Sequence, residues 1–285
     1  MKRNPIDTPD IFKFHDIRDY LNQWVSVMKN NDKKFSLRKW AEKAEVSPAY
    51  LPLVLSGKRT LTEQALIKFI PHMSLSKEQI TYLKQLRILS EAKSLAERRQ
   101  ALNRLQKIKK YKQLNPQDLE AYKYLNNWTH VAIRELTSVE GFKLDERWIQ
   151  KKLKTKVALS KIIKAIKFLL ENKFIKKNKK GQVEKPKHKI VCSGGVYKLS
   201  MSQFHTQMLS LAAKSIFETV PERRNLIGQT IAINPTDFDK IKDIMSSAQD
   251  KIQEIVKESK NPSVVYYITH LAFPLTKESD ESNHE

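Results

Sequence analysis

The chain has 285 residues, 40% of them hydrophobic, and carries a formal net charge of +22, enough length for one to three domains with buried cores. Its 6 glycines leave little material for nucleotide-cradling loops or long flexible linkers, and its single cysteine, Cys192, excludes an internal disulfide and a thiolate metal cage. No run of about 18 apolar residues offers a membrane span, and the amino-terminal MKRNPIDTPDIFKFHD lacks the apolar stretch of a secretory signal, so a cytoplasmic protein with no membrane partner is expected.

The first half reads as helices with clear punctuation. Ile17, Tyr20, Leu21, Trp24, Val25 and Met28 recur at helical spacing. Ser36 can cap a short helix through Leu37, Trp40, Ala41 and Ala44. Ser47-Pro48 combines a capping side chain with proline at the first helical position. That helix runs through Tyr50, Leu51 and Val54 to a stop at Gly57. Thr60 with Glu63 forms a capping box for the next helix, which ends near Pro71, and Ser76 with Gln79 forms another. The helix from Ser76 continues, with breaks, towards Ile108.

A second module opens at Asn115-Pro116 with a helix carrying Leu119, Tyr122, Leu125, Trp128, Ala132 and Leu136. Asp145 caps a short helix with Trp148 and Ile149. A third helix, 158–172, has Leu159, Ile162, Ile163, Ile166, Leu169 and Leu170 on one side. Phe174-Ile175 and Val183 flank a polar, glycine-containing turn and predict a hairpin. Ile190-Val191 and Val196-Tyr197 are expected to extend this small sheet, with Gly194-Gly195 as a tight turn.

The last third starts near Ser200 with a helix through Phe204, Met208 and Leu211. A strand is expected at 229–233. Asn234-Pro235 then announces a long helix with Phe238, Ile241, Met245, Ala248, Ile252 and Ile255 spaced 3-4-3-4-3, a heptad-like seam. The β-branched and aromatic run 264–273 predicts a second strand. The expected architecture is therefore mainly α with a smaller α+β part. A helical helix-turn-helix domain spans 1–113 and a winged-helix-like basic domain 114–199. A β-α-β dimerisation or sensor domain spans 200–278, and 279–285 form a disordered tail.

Charge is distributed unevenly over these parts. Residues 1–100 carry 19 basic and 11 acidic side chains, residues 101–199 carry 25 and 8, and residues 200–285 carry 9 and 12. Between Lys143 and Lys189 alone, 17 basic residues face four acidic ones. A folded surface this positive attracts polyanions, and double-stranded DNA is the expected partner.

Two constellations could carry that contact. In "SLRKWAEKAEVSPAYLPLVLSGKRTLT" two short helices follow each other across the turn Glu45-Val46-Ser47. Ala41 is small where two crossed helices approach, and Val46 plugs the turn. The segment resembles the Cro/C1-type helix-turn-helix of phage repressors. The resemblance implies a second helix in the major groove, with Ser47, Ala49 and Tyr50 exposed to bases and Lys58 and Arg59 near phosphates. It departs from that pattern at Glu45, where glycine is common, and at Pro52. A proline inside a helix costs roughly 3 kcal/mol, so this helix must kink or start late. A helix-turn-helix used only for packing is the competing reading.

The second constellation lies in 115–185, where three helices and a basic hairpin match a winged helix. Lys161, Lys164 and Lys167 recur on the side of the third helix away from its apolar stripe. Lys176, Lys177, Lys179 and Lys180 form the wing. Lysine without arginine favours phosphate contact over bidentate base reading. The competing reading is a solvated lysine face.

Taken over its full length, the chain resembles a bacterial family of uncharacterised proteins described as transcriptional regulators. They pair an amino-terminal Cro/C1-like helix-turn-helix with a carboxy-terminal domain of unknown function. The resemblance runs from "FKFHDIRDYL" through "SPAYLPLVLSGKRTLT" and "CSGGVYKLSMSQFHTQMLSLAAKSI" to "VVYYITHLAFPLT". It implies a DNA-binding regulator, which repressor geometry suggests is a homodimer. Arg223-Arg224 is a candidate clamp for a small-molecule or anionic signal in the last third. No metalloprotease, hydrolase or phosphate-loop motif occurs, so no enzyme activity, cofactor or metal is expected. The alternative is a protein-interaction adaptor whose helix-turn-helix has decayed and whose lysine face binds RNA or an acidic partner.

Overall fold

A computed structural model describes residues 8–179, 181–186 and 194–277 of the chain. It is mainly helical. In chain order the helices are α1 (Ile17–Asn31), α2 (Leu37–Lys43), α3 (Tyr50–Leu55), α4 (Glu63–Phe69), α5 (Lys77–Glu91), α6 (Leu95–Leu105) and α7 (Lys109–Leu114). They continue as α8 (Pro116–Leu125), α9 (Trp128–Leu136), α10 (Glu146–Lys152), α11 (Leu159–Glu171), α12 (Gly194–Glu218) and α13 (Phe238–Glu258). Among the described residues the only sheet is an antiparallel pair, β1 (Lys176–Lys177) and β2 (Val183–Glu184), with Lys176 opposite Glu184 and Lys177 opposite Val183.

The helix ends follow side-chain chemistry. Asp16 caps α1 by accepting from the Arg18 amide at 2.8 Å, and Ser36 caps α2 through the Lys39 amide. Ser76 and Gln79 close the reciprocal capping box of α5. The cap of α4 is Thr62, which accepts from the Ala65 amide, rather than Thr60. The Thr60 carbonyl is instead taken by the Tyr50 hydroxyl. The single helix expected over 116–136 is two, because Asn126 ends α8 and the Asn127 side chain caps α9 through the Thr129 amide.

Two hydrophobic cores result. The first gathers α1–α7 around Trp24, whose ring centroid lies 4.5 Å from that of Trp40, itself 4.8 Å from Phe69. At its edge the Arg18 guanidinium lies 2.8 Å from a Glu91 carboxylate oxygen and donates through Nε to the Val54 carbonyl. Burial raises the Glu91 pKa and the Arg18 charge opposes that rise. The second core joins α9, α10 and α11 through Ile133, Ile149, Ile162, Ala165 and Leu169, closed by Phe174 and Ile175.

Two helices serve both cores. α8 gives Leu119 and Tyr122 to the first and Tyr124 and Leu125 to the second. α12 gives Val196 and Leu199 to the first and Phe204 to the second. This overturns the sheet extension expected at Val196-Tyr197 and the tight turn expected at Gly194-Gly195. Val196, Leu199 and Phe204 stand near helical spacing and find their partners in the cores, so the segment is helical from Gly194. Ile190 and Val191 lie outside the described residues.

The β-α-β unit expected in the last third is also corrected. α13 is present, but 229–233 and 264–273 are not strands. Within the described residues neither 225–233 nor 263–273 makes a backbone–backbone hydrogen bond. The residues have strand character, yet a strand exists only through a partner's N–H and C=O groups, and no other described residue supplies them here.

Candidate nucleic-acid interface

The first site is the turn between α2 and α3. Its chain reversal runs through Glu45 in the left-handed region at φ 50°, the turn position where glycine is common. The Val46 amide donates back to the Ala41 carbonyl at 3.0 Å and the Lys68 ammonium caps the Glu45 carbonyl at 3.1 Å. α3 starts late, at Tyr50. Pro52 is therefore its third residue, within the first turn, where amide groups have no intrahelical acceptor and a proline loses nothing.

Ser47 and Ala49 are exposed at the start of α3, and Lys58 and Arg59 are exposed beyond its end. Tyr50 is not on that surface, contrary to the expectation. It is 6% exposed, its hydroxyl donates to the Thr60 carbonyl and accepts from the Thr62 amide, both at 2.9 Å, and Arg59 lies over its ring. A phenol is long enough to reach across to the next helix start and tie it down, which a sequence pattern does not reveal. What α3 exposes is Pro52, Leu53 and Ser56, a surface poor in base-reading groups.

The second site is α11 with the hairpin after it. Ile162, Ala165 and Leu169 are fully buried, and this fixes the rotation of the helix. Lys161, Lys164 and Lys167 are all exposed as a consequence. At 1.5 Å per residue the three span about 9 Å along the axis. The chain then turns through Lys173 at φ 58°, and the Phe174 and Ile175 amides both donate to the Leu169 carbonyl. Phe174 stacks on Tyr124 with centroids 4.2 Å apart. That anchor makes Lys176 and Lys177 emerge directly beside the helix end.

The hairpin turn is closed by the Asn178 amide donating to the Gln182 carbonyl at 2.8 Å, with Gly181 at φ 75°. Lys179 sits on it, exposed; Lys180 lies outside the described residues. Below the hairpin Lys185 pairs with Glu135, and Arg134 donates to the Pro186 carbonyl, tying β2 to α9.

Carboxylates neutralise some of this charge. Lys167 lies 3.7 Å from Glu171 and Lys176 lies 2.9 Å from Glu184. Among the described residues Lys161, Lys164, Lys177 and Lys179 form no ion pair, so their field reaches solvent. Lys154 and Lys156 before α11 and Lys173 after it are exposed and enlarge the same surface. Sequence reasoning counted these three within the lysine block but gave them no position, because loops carry no periodicity.

Arg223 and Arg224, the candidate clamp of the last third, are not among the residues lining the cleft of Met201, His205, Lys242, Tyr267 and His270. Arg223 and Arg224 belong to a short helical turn at 221–223 and its end. His205 approaches the Tyr267 hydroxyl at 3.5 Å. No helix among the described residues is long and apolar enough to cross a membrane.

Residues 105–275 match the family model described as Domain of unknown function (DUF4423), which covers more than half of the chain. The match contains α11, the hairpin, α12 and α13, whereas α1–α5 lie outside it. Neither the curated proteins nor the solved structures contain a match to this chain.

Proposed function

We propose that this chain, which belongs to the DUF4423 family, is a double-stranded DNA-binding transcriptional regulator that reads DNA as a dimer. The observation that carries the reading is the lysine surface of α11, held outward by a fully buried opposite face and continued by the hairpin. Three packed helices followed by a basic hairpin suit a winged helix. In that docking α11 enters the major groove and the hairpin lies on flanking phosphates. Lysines act there as point charges, so the reading predicts strong binding to duplex backbone and modest base discrimination.

The α2–α3 segment supports the reading with less force. Its turn geometry suits a helix-turn-helix, and Lys58 and Arg59 can reach phosphates. Tyr50 is committed to packing and α3 exposes Leu53. This favours a second reading for that module alone, as a packing or protein-contact surface.

Fluorescence anisotropy on random duplex DNA tests the proposal. If about five phosphates are neutralised, the slope of log affinity against log salt is about −4 to −5. Reversing Lys161, Lys164 and Lys167 to Glu abolishes duplex binding and leaves the melting temperature nearly unchanged, since all three are exposed. Binding that survives the reversal refutes this interface. Preference for single-stranded RNA over duplex selects the adaptor alternative.

A further inference from the structure

The region from α12's end to Lys277 is built unlike the rest of the chain. It contains α13 and the two non-helical segments 225–233 and 263–273, and none of its described residues is buried. Sixteen of the exposed large apolar side chains lie between Phe217 and Leu275. Phe217 and Ile227 are each 89% exposed. Lys242 and Met245 of α13 line one cleft with Met201 and Phe204 of α12. The Glu140 amide donates to the Pro262 carbonyl at 2.8 Å, Val265 reaches the second core, and Tyr267 meets Phe204 edge to face. The alternate residues Val264, Tyr266 and Ile268 are half exposed or more.

Side chains alternating in this way along 263–273 are those of a strand buried on both faces. Residues 226–233, with Leu226, Ile227, Ile231 and Ile233, have the same β-branched and apolar character. Among the described residues both segments have open backbone edges, and no third strand lies hydrogen-bonded beside them. Two strands are too few for a stable sheet, and four are ordinary.

We infer that residues 217–275 form a dimerisation arm. In it, the segments 225–233 and 263–273 pair with those of a second copy of this chain, and the two α13 helices cover the resulting four-stranded sheet. This deepens the dimer in the reading above by naming its surface, and it rests on that reading only for the number of copies. Charge selects the occupant. Residues 1–199 carry 44 basic and 19 acidic side chains and repel their own kind, whereas residues 200–285 carry 9 and 12. The arm offers a large near-neutral surface on which two copies of a +22 chain can meet. A polyanion gains nothing from an apolar arm, and an acidic protein is drawn to the lysine surface instead. Area agrees: sixteen large apolar side chains, more than half exposed on average, amount to well over about 1,000 Å² per chain, far beyond a monomer's usual patch and within the range of obligate homodimers.

Light scattering on the full chain without DNA tests the inference. The wild type has twice the 33.3 kDa chain mass. Ile227→Glu and Tyr266→Glu, each at an exposed position, halve it. Hydrogen exchange at amides 225–233 and 263–273 is slow in the wild type and fast in both variants. A wild type of single-chain mass, variants that remain dimeric, or a dimer whose two segments exchange freely each overturns it. Because no DNA is present, loss of the arm is distinguishable from failure of the DNA-binding reading.

Discussion

Single residues here reveal where backbone or burial imposes a cost. Glu45 holds a left-handed conformation that a side chain with a Cβ disfavours by about 1–2 kcal/mol. Glycine relieves this but gains freedom in the unfolded chain, so Glu45→Gly is expected to stabilise the first module by about 0.5–1 kcal/mol. Urea unfolding followed by tryptophan fluorescence checks it. His130 is the second case. It is 9% exposed, lies against Phe168 with ring centroids 4.4 Å apart, and directs Nδ1 to the Lys123 and Tyr124 carbonyls at 3.1 and 3.3 Å. Burial lowers its pKa from 6.5, and the two carbonyls partly oppose that. Above 6.5 both the folded and the unfolded chain hold the ring neutral. As pH falls below it the unfolded chain takes up the proton first, so stability is lost downward from that point. A melting temperature that falls between pH 7 and pH 5 is expected. His130→Asn keeps a donor near Nδ1 and removes this pH dependence at some cost in packing.

Among the elements, α3 and α11 are opposites. α3 has a recognisable sequence and an unhelpful surface: six residues, a buried tyrosine, and Pro52 accommodated because the helix begins two residues after it was expected to. α11 has no signature sequence, yet its 13 residues are rotated by three buried positions so that its lysines face outward. Charge reversal on α11 therefore tests function with little effect on stability. Pro52→Ala is expected to move stability by no more than about 0.5 kcal/mol, because a first-turn amide has no acceptor to regain. Denaturant midpoints of the variant and parent check this. A gain of roughly 3 kcal/mol, the relief expected on removing an interior proline, contradicts the observed helix start.

At the scale of the molecule, α8 and α12 decide how the parts communicate. Each places side chains in both cores, and Lys198 of α12 lies 3.6 Å from Asp16 at the start of α1. The two modules are thus expected to melt as one transition. Leu199→Ala, at a fully buried position, costs about 2–5 kcal/mol and lowers that single calorimetric peak. Two resolved peaks, with only the first displaced, contradict the coupling. The arm joins the same helix at its far end, so a second copy engaging residues 217–275 pulls on the element that carries both cores.

The sequence by itself determined most of the helices, the caps at Ser36, Ser76 and Asp145, the hairpin and the exposed lysines of α11 and the turn after it. Each rests on local chemistry: a 3.6-residue repeat, a capping side chain, or a glycine that tolerates positive φ. It also determined that 229–233 and 264–273 have strand composition. Tertiary structure decided what local chemistry leaves open. Val196 became helical because its partners, like those of Leu199, lie in the first core. Tyr50 became buried because its hydroxyl reaches the start of α4. The two strand-like segments are unpaired among the described residues, since pairing requires a neighbour that none of these supplies.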